Sequence, residues 1–171
     1  MRKWVGAAAA AVVGTSSLTG CGVPSGGILG VMVDGRGEPS IVVQMCEGHI
    51  DGATLYLEDP DPDRMPAQHK TMGTWEVSPP VTGFSQFFLD TGGNGWRVAG
   101  TLMPREPETR YTIYGWSKDN SWSASHLSFS EHELANLGPG TVRVPDNEPE
   151  AQGNRTVSLA DFRTKTCEEW F

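Results

Sequence analysis

The chain has 171 residues, of which 13 are basic and 21 acidic, for a formal net charge of −8. An acidic surface repels nucleic-acid phosphates and anionic lipid headgroups, so no nucleic-acid partner is expected. Beyond the N-terminus, no apolar run approaches the roughly 18 residues that a membrane-spanning helix needs, which argues against a transmembrane protein.

The N-terminus has the parts of an export signal. Arg2 and Lys3 provide positive charge, and the alanine-rich run over residues 4–13 is too short to span a bilayer core of about 30 Å. Leu18-Thr19-Gly20-Cys21 follows and resembles the lipobox of bacterial lipoproteins. The resemblance implies that the Cys21 thiol carries a diacylglycerol and that the chain is cut before it. The alternative is an ordinary cleaved signal that ends, by chance, at a cysteine.

This interpretation divides the chain into three parts. Residues 1–20 are the signal peptide, residues 21–27 are the lipidated cysteine and a flexible tether, and residues 28–171 are a single β-rich domain. Removal of the signal takes away two basic residues, so the mature chain has 11 basic against 21 acidic residues, a net charge of −10. The predicted location is the extracytoplasmic side of the cell membrane, with the lipid on Cys21 as anchor.

Short apolar stretches separated by turn residues predict a mainly β domain. The candidate strands are 28–33, 41–46, 53–58, 74–77, 83–89, 96–102, 109–116, 122–129 and 141–144. Two short helices are expected near the C-terminus, one capped by Ser130 and the other by Ser158. The polar stretch 146–153 is predicted to be a loop.

Cys46 and Cys167 remain once Cys21 is assigned to lipid. Outside the cytoplasm thiols tend to oxidise, so the two are expected to form a structural disulfide that the second helix helps to close. A redox-active pair is the alternative, but the two cysteines are remote in sequence and form no C-x-x-C motif.

One segment is similar to fibronectin type III domains. Gly100-x-Leu102-x-Pro104, followed by Thr109-x-Tyr111-x-Ile113, matches their G-x-L-x-P and T-x-Y-x-V stretch, although the link between the two parts is longer here. In that family the tyrosine forms a corner that locks a connection between sheets. The resemblance implies a two-layer, antiparallel, immunoglobulin-like β-sandwich.

Signatures of catalysis are absent from the sequence. It has no G-x-S-x-G, S-x-x-K or H-E-x-x-H motif and no glycine-rich phosphate loop. Asp59, Asp61 and Asp63 have the spacing that begins a calcium loop, but Arg64 and Lys70 stand where that loop needs glycine and glutamate. We therefore expect no catalytic residue, no metal site and no cofactor.

The candidate binding surface is an aromatic hairpin. Trp116 and Trp122 flank a polar loop, and pairing them also places Tyr114 opposite Ala124 and Tyr111 opposite Leu127. The same register puts one set of side chains on the core face: Tyr111, Ile113, Leu127 and Phe129. A second set would form the candidate binding face: Tyr114, Trp116, Trp122 and His126. The alternative is that the C-terminal helix covers this second face.

These observations favour a non-enzymatic binding or accessory module of the cell envelope. An exposed aromatic face suits a protein or a glycan partner. The alternative is a cell-envelope hydrolase, which would need two carboxylates about 5–10 Å apart in a cleft.

Overall fold

The computed structural model describes residues 22–57, 69–146 and 153–171. In these ranges the chain forms ten strands and two short helices. The strands are β1 (Ser25–Val33), β2 (Pro39–Met45), β3 (Ile50–Leu57), β4 (Lys70–Val81), β5 (Phe84–Phe88), β6 (Trp96–Val98), β7 (Arg110–Trp116), β8 (Ser123–Ser130), β9 (Thr141–Pro145) and β10 (Asn154–Ser158). The helices are α1 (Glu131–Ala135) and α2 (Leu159–Trp170).

All ten strands belong to one hydrogen-bonded sheet that is nearly closed into a barrel. Its strand order is β10-β9-β1-β8-β7-β3-β4-β6, and a branch runs from β1 through β2 to β5. The seven residues between β5 and β6 connect the end of this branch to the β6 edge of the sheet. There the Phe87 ring stacks on Trp96, with the ring centroids 4.3 Å apart. We refer to this arrangement as the rolled sheet.

The inside of the rolled sheet is the main hydrophobic core. Alternate residues of its strands point inward, as the two-residue period of a strand requires. The largest fully buried side chains of this core include Leu29, Ile41, Leu55, Trp75, Phe87, Tyr111, Ile113 and Phe129. The core face predicted for the aromatic hairpin is therefore confirmed, since all four of its residues are at most 1 % exposed.

A second, smaller core lies on the outer side of β1 and β2. Ile28, Met32 and Val42 point outward there and are covered by β9 and by Phe162 of α2. Gly30 permits this close packing, because a Cβ at Gly30 would lie 2.3 Å from a methyl group of Val142. Strands β1 and β2 are thus buried on both faces, which explains the continuous apolar runs at 28–33 and 41–43.

The disulfide predicted from the sequence is confirmed. Cys46 and Cys167 are bonded, with an S–S distance of 2.04 Å, across 121 positions of sequence. Helix α2 begins at a cap in which the Asp161 N–H donates to the Ser158 hydroxyl. The helix then carries Cys167 back to the end of β2.

The mainly β character and the two short helices are also confirmed. The two-layer immunoglobulin-like sandwich is not confirmed, because the strands form a single connected sheet. One short pair, β1 with β8, is parallel rather than antiparallel. The corner itself is present: the Glu106 N–H donates to the Tyr111 hydroxyl at 2.6 Å. The local resemblance therefore predicted a local contact and not the topology.

Several element bounds differ from the predicted ones: β4 covers Lys70–Val81 instead of 74–77, and β6 ends at Val98 instead of 102. The tether was expected to reach Gly27, but β1 begins at Ser25 because the Gly26 carbonyl accepts the N–H groups of Cys46 and Glu47. Strand β10 was missed because its residues are mostly polar and only partly buried. Residues 1–21 and the acidic stretch 58–68 lie outside the described residues, and with them Cys21 and the calcium-like spacing of Asp59, Asp61 and Asp63.

The disulfide should be a major source of stability. A cross-link that closes a loop of this length removes chain entropy from the unfolded state, worth about 4 kcal/mol. We expect the Cys46→Ala/Cys167→Ala variant to lose about that much unfolding free energy in urea titration. Reduction of the wild type should cause a similar loss and should leave the variant unchanged. Thiol labelling at Cys46 and Cys167 in the denatured, unreduced wild type would contradict the prediction.

Candidate functional site

The loop between β7 and β8 is held by its own side chains. The Trp122 N–H donates to the Ser117 hydroxyl at 3.0 Å, and this hydroxyl donates to the Trp122 carbonyl at 2.9 Å. At the tip, the Asp119 carboxylate accepts the hydroxyl and the N–H of Ser121 at 2.6 and 3.0 Å. The hydrogen bond from the Ser121 hydroxyl, and to a smaller extent the one from the Ser121 N–H, lowers the pKa of Asp119 to about 2. The hairpin tip is therefore a defined structure.

The hairpin register differs from the predicted one. Trp116 lies opposite Ser123 rather than Trp122, and Tyr111 lies opposite Phe129 rather than Leu127. The register shifts between Ile113 and Gly115. Because Tyr111 is displaced by two positions along β8, its side chain keeps the predicted face. The predicted core face is therefore kept despite the wrong register.

The candidate binding face lines an open cleft of about 680 Å³ on the outside of the rolled sheet. All four predicted residues line it: Tyr114, Trp116, Trp122 and His126. The three larger rings are half-buried, and His126 is exposed. Thr54 of β3 and Glu76 of β4 line the opposite side. We call this site the aromatic cleft.

Each tryptophan of the aromatic cleft lies flat on a glycine. A Cβ at Gly48 would be 2.2–2.3 Å from three adjoining atoms of the Trp122 five-membered ring. A Cβ at Gly52 would be 2.3–2.7 Å from three adjoining atoms of the Trp116 six-membered ring. Such equal distances place each glycine beneath the plane of the ring. One face of each indole is therefore against the backbone, and both indoles line the cleft.

The aromatic surface continues beyond the predicted residues. Tyr114 stacks on His126, with centroids 5.3 Å apart and ring planes 16° apart. Tyr56 packs edge-on to Tyr114 at 5.9 Å and against His69 at 4.8 Å. These two additional rings line an adjoining depression of about 240 Å³ that shares Thr54, Tyr114 and His126 with the aromatic cleft. Sequence reasoning missed Tyr56, although its alternation with Gly52 and Thr54 along β3 places all three on one face.

Polar groups hold the cleft in shape and border it. The Trp116 Nε1–H donates to the Thr54 hydroxyl at 3.0 Å, which fixes the indole on β3. The Lys118 N–H donates to the Asp51 carboxylate at 2.8 Å and ties the hairpin loop to the same strand. The Lys118 and Asn120 side chains line the cleft, and so does Glu76, whose carboxylate binds Arg97 at 2.6 Å. The site thus combines two ring faces with hydrogen-bond donors and acceptors.

The alternative in which the C-terminal helix covers this face is wrong. Helix α2 packs against β2, β9 and β10, and its Phe162 and Trp170 belong to the second core on that side of the sheet. The Phe162 ring meets Phe84 there, at a centroid distance of 6.4 Å. The aromatic cleft therefore remains open.

The glycine beneath Trp116 provides a direct test of the site geometry. A methyl group at position 52 would occupy the space of the indole, so Gly52→Ala should displace Trp116 and cost about 1–3 kcal/mol of stability. Gly35→Ala is the matched control, because no heavy atom lies within 4 Å of a Cβ built there. The measurements are a thermal melt and the near-ultraviolet circular dichroism of the indoles. Equal spectra and melts for the two variants would contradict the flat seating of Trp116.

Within residues 22–57, 69–146 and 153–171, no helix is long and apolar enough to cross a membrane. In the same ranges, no group of three His, Cys, Asp or Glu side chains is placed to hold a metal ion. Comparison with known proteins found no protein family, no curated protein and no solved structure that matches the chain.

Proposed function

We propose that the chain is a membrane-anchored extracytoplasmic lipoprotein whose β-rich domain is a non-enzymatic binding module, with the aromatic cleft as its ligand site. The anchor is supported by Leu18-Thr19-Gly20-Cys21 after an apolar, positively flanked run. The binding role is carried by one observation: Trp116 and Trp122, each seated on a glycine, line the same open cleft. The ligand is a protein or a glycan of the cell envelope.

The geometry favours binding because the two rings are already held in place. Gly48 and Gly52 support them from below, and Thr54 holds the Trp116 indole nitrogen. A ligand that stacks on such rings does not have to order them first, which lowers the entropic cost of binding. Each ring contact of this kind contributes about 0.5–1.5 kcal/mol beyond the area that it buries.

The charges in the clefts disfavour the hydrolase alternative. Glu76 is the carboxylate that borders the aromatic cleft, and it is bound to Arg97. A separate cleft of about 530 Å³ contains Asp90 and Glu131, but Arg105 forms ion pairs with both. Burial would lower the pKa of Arg105, yet its bonds to these carboxylates raise it. Both carboxylates of that cleft are thus shared with one arginine, whereas a glycosidase needs a pair of carboxyl groups that face the substrate as acid and as base or nucleophile.

The anchor is tested by replacing its cysteine. We expect Cys21→Ala to abolish lipid attachment and to remove the lipid mass from the N-terminal peptide in mass spectrometry. Gly22→Ala is the matched control and should be lipidated normally, because no atom lies within 4 Å of a Cβ built at Gly22. A mature wild-type chain without lipid on Cys21 would refute the anchor.

The site is tested by removing both tryptophans. We expect Trp116→Ala/Trp122→Ala to lose the cell-envelope material that the intact protein captures in a pull-down, while Trp170→Ala on the opposite side retains it. Because both rings are half-buried, each substitution should lower the free energy of unfolding by an intermediate amount. The loss should exceed the roughly 0.5 kcal/mol of a surface change and stay below the roughly 3–5 kcal/mol of a truncated core aromatic. Equal capture by the folded double variant would refute the site.

A further inference from the structure

The N-terminal segment of the domain is fixed beside the aromatic cleft. Val23 lines the cleft and is 44 % exposed. The Pro24 carbonyl accepts the N–H of Ser123 at 2.9 Å and the hydroxyl of Ser123 at 3.1 Å. Strand β1 then begins at Ser25, which pairs with Ser123 in parallel. The segment that leads to Cys21 therefore leaves the domain from the edge of the cleft.

This placement limits the distance between the cleft and any lipid on Cys21. Cys21 is two residues before Val23, so their Cα atoms are at most about 7 Å apart. The polar headgroup layer on each side of a bilayer is itself about 5–7 Å thick, from the difference between the full bilayer and its hydrocarbon core. With Cys21 lipidated, the edge of the aromatic cleft is at the level of the headgroups. A ligand that is bound in the cleft is then also at the level of the headgroups.

We propose that the ligand is the uncharged sugar headgroup of a glycolipid in the membrane leaflet that carries the anchor. The proposal rests on the proposed function, since it needs both the lipid on Cys21 and the cleft as a binding site. A sugar ring presents C–H groups on its faces and hydroxyls around its edge. The faces suit the rings of Trp116 and Trp122, and the hydroxyls suit the side chains of Lys118, Asn120 and Glu76.

Charge favours a sugar over a phosphate headgroup. The mature chain has 11 basic against 21 acidic residues, which opposes approach to anionic headgroups, while an uncharged sugar meets no such repulsion. The tryptophans are also unsuited to simple insertion among acyl chains. They are half-buried against glycine, and the large apolar side chains exposed in the described ranges are Val23 and Phe171. A cleft at headgroup level therefore fits a headgroup that enters it.

The test uses the full lipidated protein, purified in detergent and reconstituted into phosphatidylcholine vesicles. One set contains a galactosyl-diacylglycerol with a photoreactive group on its sugar, and the other contains phosphatidylcholine with the same group on its choline. Cross-linked peptides are identified by mass spectrometry. We expect the sugar probe to label residues 113–126 at least about tenfold more than the choline probe, which corresponds to about 1.4 kcal/mol of binding free energy. Trp116→Ala/Trp122→Ala should lose this labelling, and Trp170→Ala should keep it.

The outcomes separate this inference from the proposed function. If Cys21 carries no lipid, the protein fails to reconstitute and the proposed function fails with the inference. If the lipidated protein gives equal labelling with both probes but still captures an envelope protein through Trp116 and Trp122, the binding module stands and the glycolipid ligand is refuted. If free methyl galactoside competes as well as the glycolipid at equal concentration, membrane presentation plays no part, and the inference is also refuted.

Discussion

The double burial of β1 is the constraint on which the rest of the structure depends. Its inner side chains, such as Leu29 and Val31, complete the main core, while Ile28 and Met32 lie under β9 and α2. A strand buried on both faces must have protein on either side of it, so the C-terminal helix is needed on the outside. The Cys46–Cys167 bond holds the helix there. Helix α2 therefore covers the outer face at β2 and β9, and the outer face at β3 and β7, where the aromatic cleft lies, stays uncovered.

The sequence was most informative where one local signal determines the outcome. Two-residue alternation identified most strands and the core face of the hairpin. The capping serines Ser130 and Ser158 marked the starts of both helices. The disulfide followed from counting cysteines. The topology could not be predicted in this way, because closure of the sheet depends on long-range contacts such as Phe87 on Trp96. A fibronectin-like segment predicts the Tyr111 corner without predicting which strands become neighbours.

The candidate site was partly predictable for a similar reason. Alternation on β7 and β8 placed Tyr114, Trp116, Trp122 and His126 on one face, and the structure brings all four to one cleft. The contributions of the glycines could not be recognised from sequence alone. Gly48 resembles an ordinary turn residue and Gly52 an ordinary weak point in a strand. Their role depends on which side chain lies above them, and that is set by the pairing of β3 with β7. Tyr56 joins the site through the same pairing.

The early start of β1 also determines how mechanical load from the N-terminus reaches the domain. A long flexible linker at the N-terminus would let the domain move freely and would extend under tension before the domain was loaded. Here Pro24 is bonded to Ser123, and Gly27–Val33 pairs with Pro39–Met45 along its length. Tension along β1 acts across this ladder of perpendicular hydrogen bonds, so the bonds are loaded together in shear instead of being peeled one at a time. A load applied at the N-terminus would therefore meet a mechanically resistant strand that is also part of the core.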